Sequence, residues 1–505
     1  MVVSTKSAAL VGLDVFTISI EVDTINSIPQ ILIIGLPDTA ISEAKERLRL
    51  AIKNSGYSFP ASKVVINLAP ADLKKEGSNY DLAMAIGILI KEGVVKEFDN
   101  NKIAFLGELS LDGSIRPVNG VLPIVCDLNR LGIEKVIVPI ENLEEASFID
   151  DIEVLGAKNL AEVVEYLNKN IDLSILKQNI DSYLKLKEDY PIDFCNIKGQ
   201  LRAKKALEIA AAGAHNVLMS GAAGSGKTML AKAFVSILPP LNKQEAIELT
   251  KIYSIAGLLD RKNPLITKRP FRSPHHSSSP IGIIGGGSNP KPGDITLSHR
   301  GVLFLDEMVE FPRTTLEVLR QPLEDNIVTI SRAAISVTYP ANFILIGAMN
   351  PCPCGNLGDL KKPCTCTEFQ INRYKARLSG PLLDRIDIQL KIQRLEDKEL
   401  LEEDKNIETS KKIRQRVIKA RNIQLERYKD EGILTNSELN SKLIKKYCKI
   451  DSDSKKFLEQ AINRFSLSAR SYDRLLKVSR TVADLDNSID IDISHIAQAL
   501  QLREN

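Results

Sequence analysis

Short apolar runs with period-two alternation are interleaved with stretches of helical spacing through the first third of the chain. VFTISIEVD, ILIIGLP and KVVINLAP read as strands, and SEAKERLRLAIKNSG reads as a helix capped by Ser42 and stopped by Gly56. DLAMAIGILIKEG is apolar all round and predicts a buried helix; IAFLGELSLDGSIRPV predicts a hairpin turning at Asp112 and Gly113. EKVIVP and AEVVEYL complete this first α/β unit. The pattern then weakens. LNKNIDLSILKQNIDSYLKLKEDYPI is charged and Asn-rich and reads as a linker, after which a helix from Gln200 presents Leu201, Ala206, Leu207 and Ala210 as its apolar face.

Beyond it the apolar runs become continuous. Val217 to Met219 predict a short buried strand, followed by a Gly-rich loop, a helix over Met229 to Val235 and a break at Pro239. GVLFLDE and FILIGAMN are two further strands buried on both faces, separated by a helix over TTLEVLRQPLED and a hairpin over NIVTISRAAISVTYPANF. From about Arg394 the remainder is helical, with KKIRQRVIKARNIQLERY, a helix pair in FLEQAINRFSLSARSYDRLLKVSRTVADLD and a last amphipathic helix in DISHIAQALQLR. The resulting expectation is an α/β protein divided into 1–168, a linker at 169–192, a second α/β core at 193–393 and a helical domain at 394–505.

Composition changes this picture little. Lys and Arg (67) nearly balance Asp and Glu (64), so no global positive field points to nucleic acid and any such contact has to be local. No apolar run approaches the ~20 residues of a membrane helix, and no basic leader precedes an apolar segment, which leads to the expectation of a cytoplasmic protein without membrane contact. Of the seven cysteines, Cys126, Cys195 and Cys448 stand alone, as ordinary thiols do.

The chemistry is concentrated in the second half. GAAGSGKT, made of Gly221, Ala222, Ala223, Gly224, Ser225, Gly226, Lys227 and Thr228, lies between strand and helix, the setting of a phosphate cradle. Its glycines admit backbone conformations a Cβ would block, its N–H groups and the helix N-terminus face an anion, Lys227 reaches β- and γ-phosphates, and Thr228 offers a hydroxyl to Mg²⁺. A nucleoside triphosphate, ATP or GTP, is the expected ligand. GVLFLDE delivers Asp306 and Glu307 to the end of a buried strand, Asp306 for Mg²⁺ and Glu307 to take the proton of an attacking water. Asn350, at the end of FILIGAMN, can orient that water.

Cys352, Cys354, Cys364 and Cys366 form two CxC pairs across a Gly- and Pro-containing loop, a pattern that suits structural Zn²⁺, with free thiols or an iron–sulfur cluster as alternatives. His275 and His276 are adjacent and have no third ligand at a fitting spacing, so they read as a polar loop pair; Lys291, flanked by prolines, reads as a solvent-facing residue. Arg332 near the second hairpin's tip is either a solvated turn residue or a nucleic-acid contact. Arg385, in LLDRID, is an arginine finger for a neighbouring subunit or a partner in an ion pair with Asp384 or Asp387.

Two resemblances follow from these motifs. KKEGSNYDLAMAIGIL, FLGELSLDGSIRPVNGVLPIV and GIEKVIVPIEN resemble the Lon-protease-like domain, with its ribosomal-protein-S5-like fold. The family's nucleophilic Ser and base Lys correspond to Asn79 and Leu122, neither able to perform the dyad's chemistry, so the expected role is structural or partner-docking. The order of phosphate loop, Gly-rich insert, VLFLDE, hairpin, GAMNPCPCG and LLDRID resembles the magnesium-chelatase-like AAA+ ATPases, and more closely their YifB/ComM family. That resemblance implies a six-membered ring, with Asn350 as sensor 1, Arg385 as finger and Arg470 as a sensor 2 that closes over the γ-phosphate with the helical lid. It also implies a DNA branch-migration helicase of natural transformation. The alternative is a chelatase-type or regulatory motor acting on a protein partner.

Overall fold

The nine residues of β1 (Val3–Val11), with Ser7, Ala8 and Ala9 buried in succession, pair antiparallel with β2 (Asp14–Ile25) across a two-residue turn, Val11 opposite Asp14 and Val3 opposite Val22. The computed structural model describes residues 2–75, 77–96, 98–184, 190–260, 262–287, 290–331, 336–359, 361–395, 408–465 and 468–503. Two units emerge: Met1–Leu186 with Asn242–Thr267, and Lys187–Leu241 with Lys268–Asn505.

In the first unit, β3 (Ile31–Ile34), β4 (Lys63–Ala69) and β5 (Ile103–Phe105) extend the opening pair. A small hairpin, β6 (Glu108–Leu109) with β7 (Ile115–Arg116), precedes β8 (Lys135–Pro139) and β9 (Glu153–Ala157). The main sheet runs β3-β4-β2-β1-β5-β8-β9. The helices Thr39–Asn54 and Asp81–Lys91 bury Leu48, Leu82 and Ile86 in one core with Ile18, Ile20 and Ile66 of the sheet. The hairpin turns where expected, Gly113 adopting φ +87° while the Asp112 carboxylate accepts the Ser114 N–H. The first helix begins earlier than its sequence suggests: Asp38 is the cap, its carboxylate accepting the Ile41 N–H, and the Ser42 hydroxyl instead donates back to the Asp38 carbonyl.

Residues 242–267, contiguous in sequence with the second core, fold within the first unit. The helix Lys243–Ala256 is fixed at its start by a capping box of Asn242 and Glu245. Its Ser254 hydroxyl accepts the Gly120 N–H at 3.2 Å and donates to the buried Glu145 carboxylate. Helical periodicity identifies the buried stripe of such a helix and says nothing of which unit will cover it, hence the contiguous boundary drawn from sequence.

The second unit is built on β10 (Val217–Gly221), β11 (Phe271–Arg272), the hairpin β12 (Gly285–Gly286) and β13 (Lys291–Pro292), and β14 (Val302–Leu305). The hairpin β15 (Ile327–Ser331) and β16 (Ser336–Pro340) leads to β17 (Ile344–Met349), and β18 (Ile388–Ile392) completes the set. Five of these form a wholly parallel sheet, β11-β14-β17-β10-β18. Parallel strands covered on both faces require continuous apolar runs, and β14 and β17 are buried at every position. The helix Leu201–Gly213 buries Ala203, Ala206, Leu207 and Ala210, whereas Leu201, expected on the apolar face, is 71% exposed at the helix's first position. The segment expected as one helix over TTLEVLRQPLED is two, Arg313–Val318 and Pro322–Asp325, because Pro322 cannot continue the first. Helices at Ser410–Arg427, Ser452–Phe465, Ala469–Leu485 and Ile493–Gln501 form the C-terminal region. Arg332 lies outside the described residues.

Candidate active site

The Gly-rich loop lies at the C-terminal end of β10, a central strand between β17 and β18. Gly221 is dictated by space, since an added Cβ would lie 2.3 Å from the Ile392 carbonyl oxygen, whereas Gly224 (φ +77°) and Gly226 (φ +91°) are dictated by backbone conformation. The helix Lys227–Phe234 starts directly after Gly226. The buried Lys227 ammonium donates to the carbonyls of Gly221 (2.7 Å) and Ala222 (3.0 Å) and lies 3.4 Å from the Asn350 Oδ1. Burial lowers its pKa, partly opposed by Asp306 and Glu307. The Ser225 hydroxyl is buried with no hydrogen-bond partner among the described residues. A lysine returned to its own loop, an orphaned hydroxyl and a helix N-terminus together suit a polyphosphate, which would supply the missing acceptors.

Thr228 Oγ donates to Asp306 Oδ2 at 2.9 Å, and Asp306 Oδ1 accepts the Glu307 N–H at 3.0 Å. This hydroxyl–carboxylate pair is a donor set of hard oxygens, the kind Mg²⁺ takes beside phosphate. Glu307 adopts φ +49°, a left-handed backbone uncommon for a side chain with a Cβ and frequent at functional positions. Its carboxylate lies 3.8 Å from His276 Nδ1. His276, taken from sequence as a loop residue, therefore faces the acid, and its only signal would have been its position after the strand adjoining β14.

Arg385 lies at the other end of the sheet. β10 and β18 are parallel, Val217 opposite Ile388 and Gly221 opposite Ile392, so Arg385 precedes β18 where the loop follows β10. A five-residue strand, at ~3.3 Å per residue, separates the two ends by about 16 Å. The buried Arg385 guanidinium donates to the Glu324 carboxylate and to the Pro381 carbonyl (2.7 Å), and its Nε has no partner among the described residues. Glu324 rather than Asp384 or Asp387 is its ion-pair partner, and its pKa is lowered by it. Asp387 pairs with Arg474 (2.9 Å). Arg385 and Arg470 line one cavity of about 360 Å³ together with Glu324, Asp387, Arg474 and Lys477, and no residue of the Gly-rich loop lines it. Lys227, Thr228, Asp306, Glu307 and Asn350 are thus gathered at one edge, Arg385 and Arg470 at another.

The four clustered cysteines converge. Cys352 lies 3.4 Å from Cys354 and 3.7 Å from Cys364, with Cys354 and Cys364 3.6 Å apart, and all four sulfurs lie within 4.8 Å of one another. Tetrahedral zinc with Zn–S bonds of ~2.3 Å requires sulfur separations of about 3.8 Å. Backbone N–H groups of Asn356 and Thr365 point at Cys354 and pull its thiol down to about 5, whereas burial and the neighbouring sulfurs push Cys364 and Cys366 up, so the four ionise together only around a shared cation. The residues therefore fit a structural metal.

In the first unit, Asn79 and Leu122 are occupied structurally. The Asn79 amide donates to the Ala8 carbonyl, and Leu122 is buried with its N–H donating to Glu145. No described helix is long and apolar enough to cross a membrane.

Comparison with known proteins agrees with this arrangement. Three family profiles match: subunit ChlI of Mg-chelatase at 20–142, magnesium chelatase subunit ChlI at 193–400, and its C-terminal part at 407–503. The chain is 41% identical over 499 residues to competence protein ComM of Haemophilus influenzae, covering 98% of this chain and 96% of that protein. It is 39% identical over 503 residues to the uncharacterized protein YifB of Escherichia coli, covering 99% and 96%. A shorter match, 33% identity over 126 residues, covers 25% of this chain and 22% of Lon protease 2 of Bacillus subtilis. The fold is accordingly a Lon-protease-like domain, an AAA+ P-loop α/β core and a helical C-terminal region. With similarity spanning nearly the whole length, and a phosphate loop beside an Asp-Glu pair at one end of a parallel sheet, the chain belongs to the ComM/YifB family of magnesium-chelatase-like AAA+ ATPases.

Proposed function

We propose that this ATPase works in the cytoplasm as a ring of six identical subunits and moves DNA, as a helicase driving branch migration during DNA uptake or recombination. The observation that carries the ring is the separation of the two cationic groups. Arg385 and Arg470 share a cavity at the end of the sheet remote from their own phosphate loop, so Arg385 is suited to the nucleotide of a neighbour, and Arg470, expected from sequence to close over the γ-phosphate with its own lid, is in this arrangement suited to the neighbour's nucleotide as well. Within one subunit, Lys227 and the loop N–H groups bind the phosphates, Thr228 and Asp306 hold Mg²⁺, Glu307 takes the proton of the attacking water and Asn350 orients that water. Mg²⁺, when bound, neutralises charge on the phosphates. Zn²⁺ on Cys352, Cys354, Cys364 and Cys366 is a structural accessory.

DNA as the substrate is supported by near full-length similarity to a protein named for competence. The three magnesium-chelatase profiles favour a second reading, a motor that remodels a protein partner. ATPase rates with and without single-stranded, forked and four-way-junction DNA, at stated salt, separate the two. Absence of both binding and stimulation at low salt refutes the DNA reading. Mixing Lys227→Ala with Arg385→Ala subunits is expected to restore part of the activity that each lacks alone; a set of mixtures with none would remove the support for catalysis in trans.

A further inference from the structure

The cysteine cluster is joined at both ends to the hydrolytic edge of the sheet. Upstream, β17 ends at Met349, Asn350 follows, and Cys352 is already wholly buried. Pro351 and Pro353 remove two N–H donors from this stretch, leaving it few backbone hydrogen bonds. The turn closes through Gly355 N–H to the Cys352 carbonyl at 3.0 Å, and a Cβ on Gly355 would lie 3.9 Å from Asn350 Cγ. The cysteine turn therefore lies alongside the Asn350 carboxamide. Downstream, Cys366 leads through the cap Thr367 into the helix Glu368–Lys375, and Arg377 just beyond it donates to Glu310 Oε2 at 2.8 Å. Glu310 closes the turn that starts at Glu307, its N–H donating to the Glu307 carbonyl at 2.7 Å.

We propose that the metal-bound cluster is a brace that fixes Asn350 and Glu307 relative to each other, so that nucleotide at the phosphate loop is felt at the metal. Gly355 and Arg377 are its positioning residues, one on each arm. The proposal rests on the reading that the four thiolates hold Zn²⁺ and that Asn350 and Glu307 handle the attacking water. A metal serves here because four short thiolate bonds immobilise a loop in which two prolines have removed backbone donors. A displacement of about 1 Å in a water-positioning group is enough to cost ~100-fold in rate.

The test uses the full chain purified with its metal. Arg377→Ala and Gly355→Ala leave all four thiols in place. Both are expected to keep zinc content and to bind a fluorescent non-hydrolysable ATP analogue within about twofold of wild type, while kcat falls at least ~10-fold. The second arm replaces zinc by Co²⁺, whose visible ligand-field bands report the geometry of the four sulfurs. Adding the analogue is expected to shift those bands in the wild type and not in Asn350→Ala. Unchanged kcat in both variants together with a cobalt spectrum indifferent to nucleotide overturns the brace. A fall in kcat that merely tracks lost metal or lost analogue binding also overturns it, leaving a fold staple. Wild type that carries no metal at all refutes instead the zinc reading beneath it.

Discussion

Replacing Arg474 by Ala tests how the C-terminal helix Ala469–Leu485 is held against the sheet. Asp387 is 4% exposed, and its carboxylate accepts from Arg474 at 2.9 Å and from the Asn216 N–H at 3.0 Å, while His215 Nδ1 at 3.6 Å is beyond hydrogen-bond range. Burial alone would raise the pKa of this carboxyl, but the charge of Arg474, joined by His215 and Lys477, outweighs it and holds the group well below the ordinary carboxylate range. Breaking a buried pair by removing one partner costs about 3–5 kcal/mol. The Arg474 side chain is 19% exposed and the Asn216 N–H remains, so the expected loss is smaller, about 2 kcal/mol.

At an m-value of ~2 kcal/mol per molar, this shifts the urea midpoint of the second unit's transition by about 1 M, measured by circular dichroism alongside hydrogen exchange in the helix. The sign with pH is fixed by the depressed carboxyl. Its contribution is present above the unfolded value of ~3.9 and is lost as pH falls from there through the folded pKa, so the stability difference between wild type and Asp387→Asn should begin to shrink only below about pH 4 and keep shrinking as the pH is lowered further. Arg474 lies one helical turn from Arg470, and the same variant is expected to lower kcat with little change in KM. Stability of Arg474→Ala within ~0.5 kcal/mol of wild type would refute the reasoning.

Gly221→Ala is expected to abolish nucleotide binding, because its Cβ would lie 2.3 Å from a backbone carbonyl of β18; Gly224→Ala meets no atom and should cost only the ~1–2 kcal/mol of its left-handed backbone, read by titration with a fluorescent nucleotide. In Cys352→Ser, zinc content is expected to fall below that of wild type, as measured by elemental analysis of the purified proteins; equal metal in both would argue against the cluster. Burial raises the Glu145 pKa, against opposing hydrogen bonds from Ser254, Leu122 and Asn142. A raised carboxyl contributes stability below its unfolded pKa and loses it as pH rises, so Glu145→Gln should leave the first unit at least as stable at pH 7. Glu145→Ala, which strands those donors, should lose about 1–3 kcal/mol in the same melt.

What could be recognised from sequence was whatever lies contiguous along the chain. Three strands with unbroken apolar runs announced a covered parallel sheet, and their ends carried Lys227, Asp306 and Asn350 to one edge because all three point the same way. The four cysteines were recognisable for the same reason, since they fall within fifteen residues. Pairings chosen in space were hidden. Glu324 is 61 residues from the Arg385 it neutralises, Arg474 is 87 from Asp387, and residues 242–267 are covered by a unit whose sequence ends before the phosphate loop. In each case several partners were chemically equivalent, and the fold selected one. Asp38 displaced Ser42 as helix cap because the helix begins at Thr39 rather than after Ser42, so its first N–H groups lie next to Asp38.

The parallel order of the sheet also bears on catalysis. Loops after β10, β14 and β17 share one edge, and the segments before β10 and β18 share the other, so no rotamer change carries Arg385 across the length of a strand to its own Lys227. The guanidinium is nonetheless buried, held by Glu324, with its Nε lacking a partner among the described residues. Leaving a buried cationic donor unsatisfied costs free energy that folding alone does not recover. An anion brought by another copy of the chain would supply the missing acceptor, and that same contact would complete the site at which the anion is cleaved.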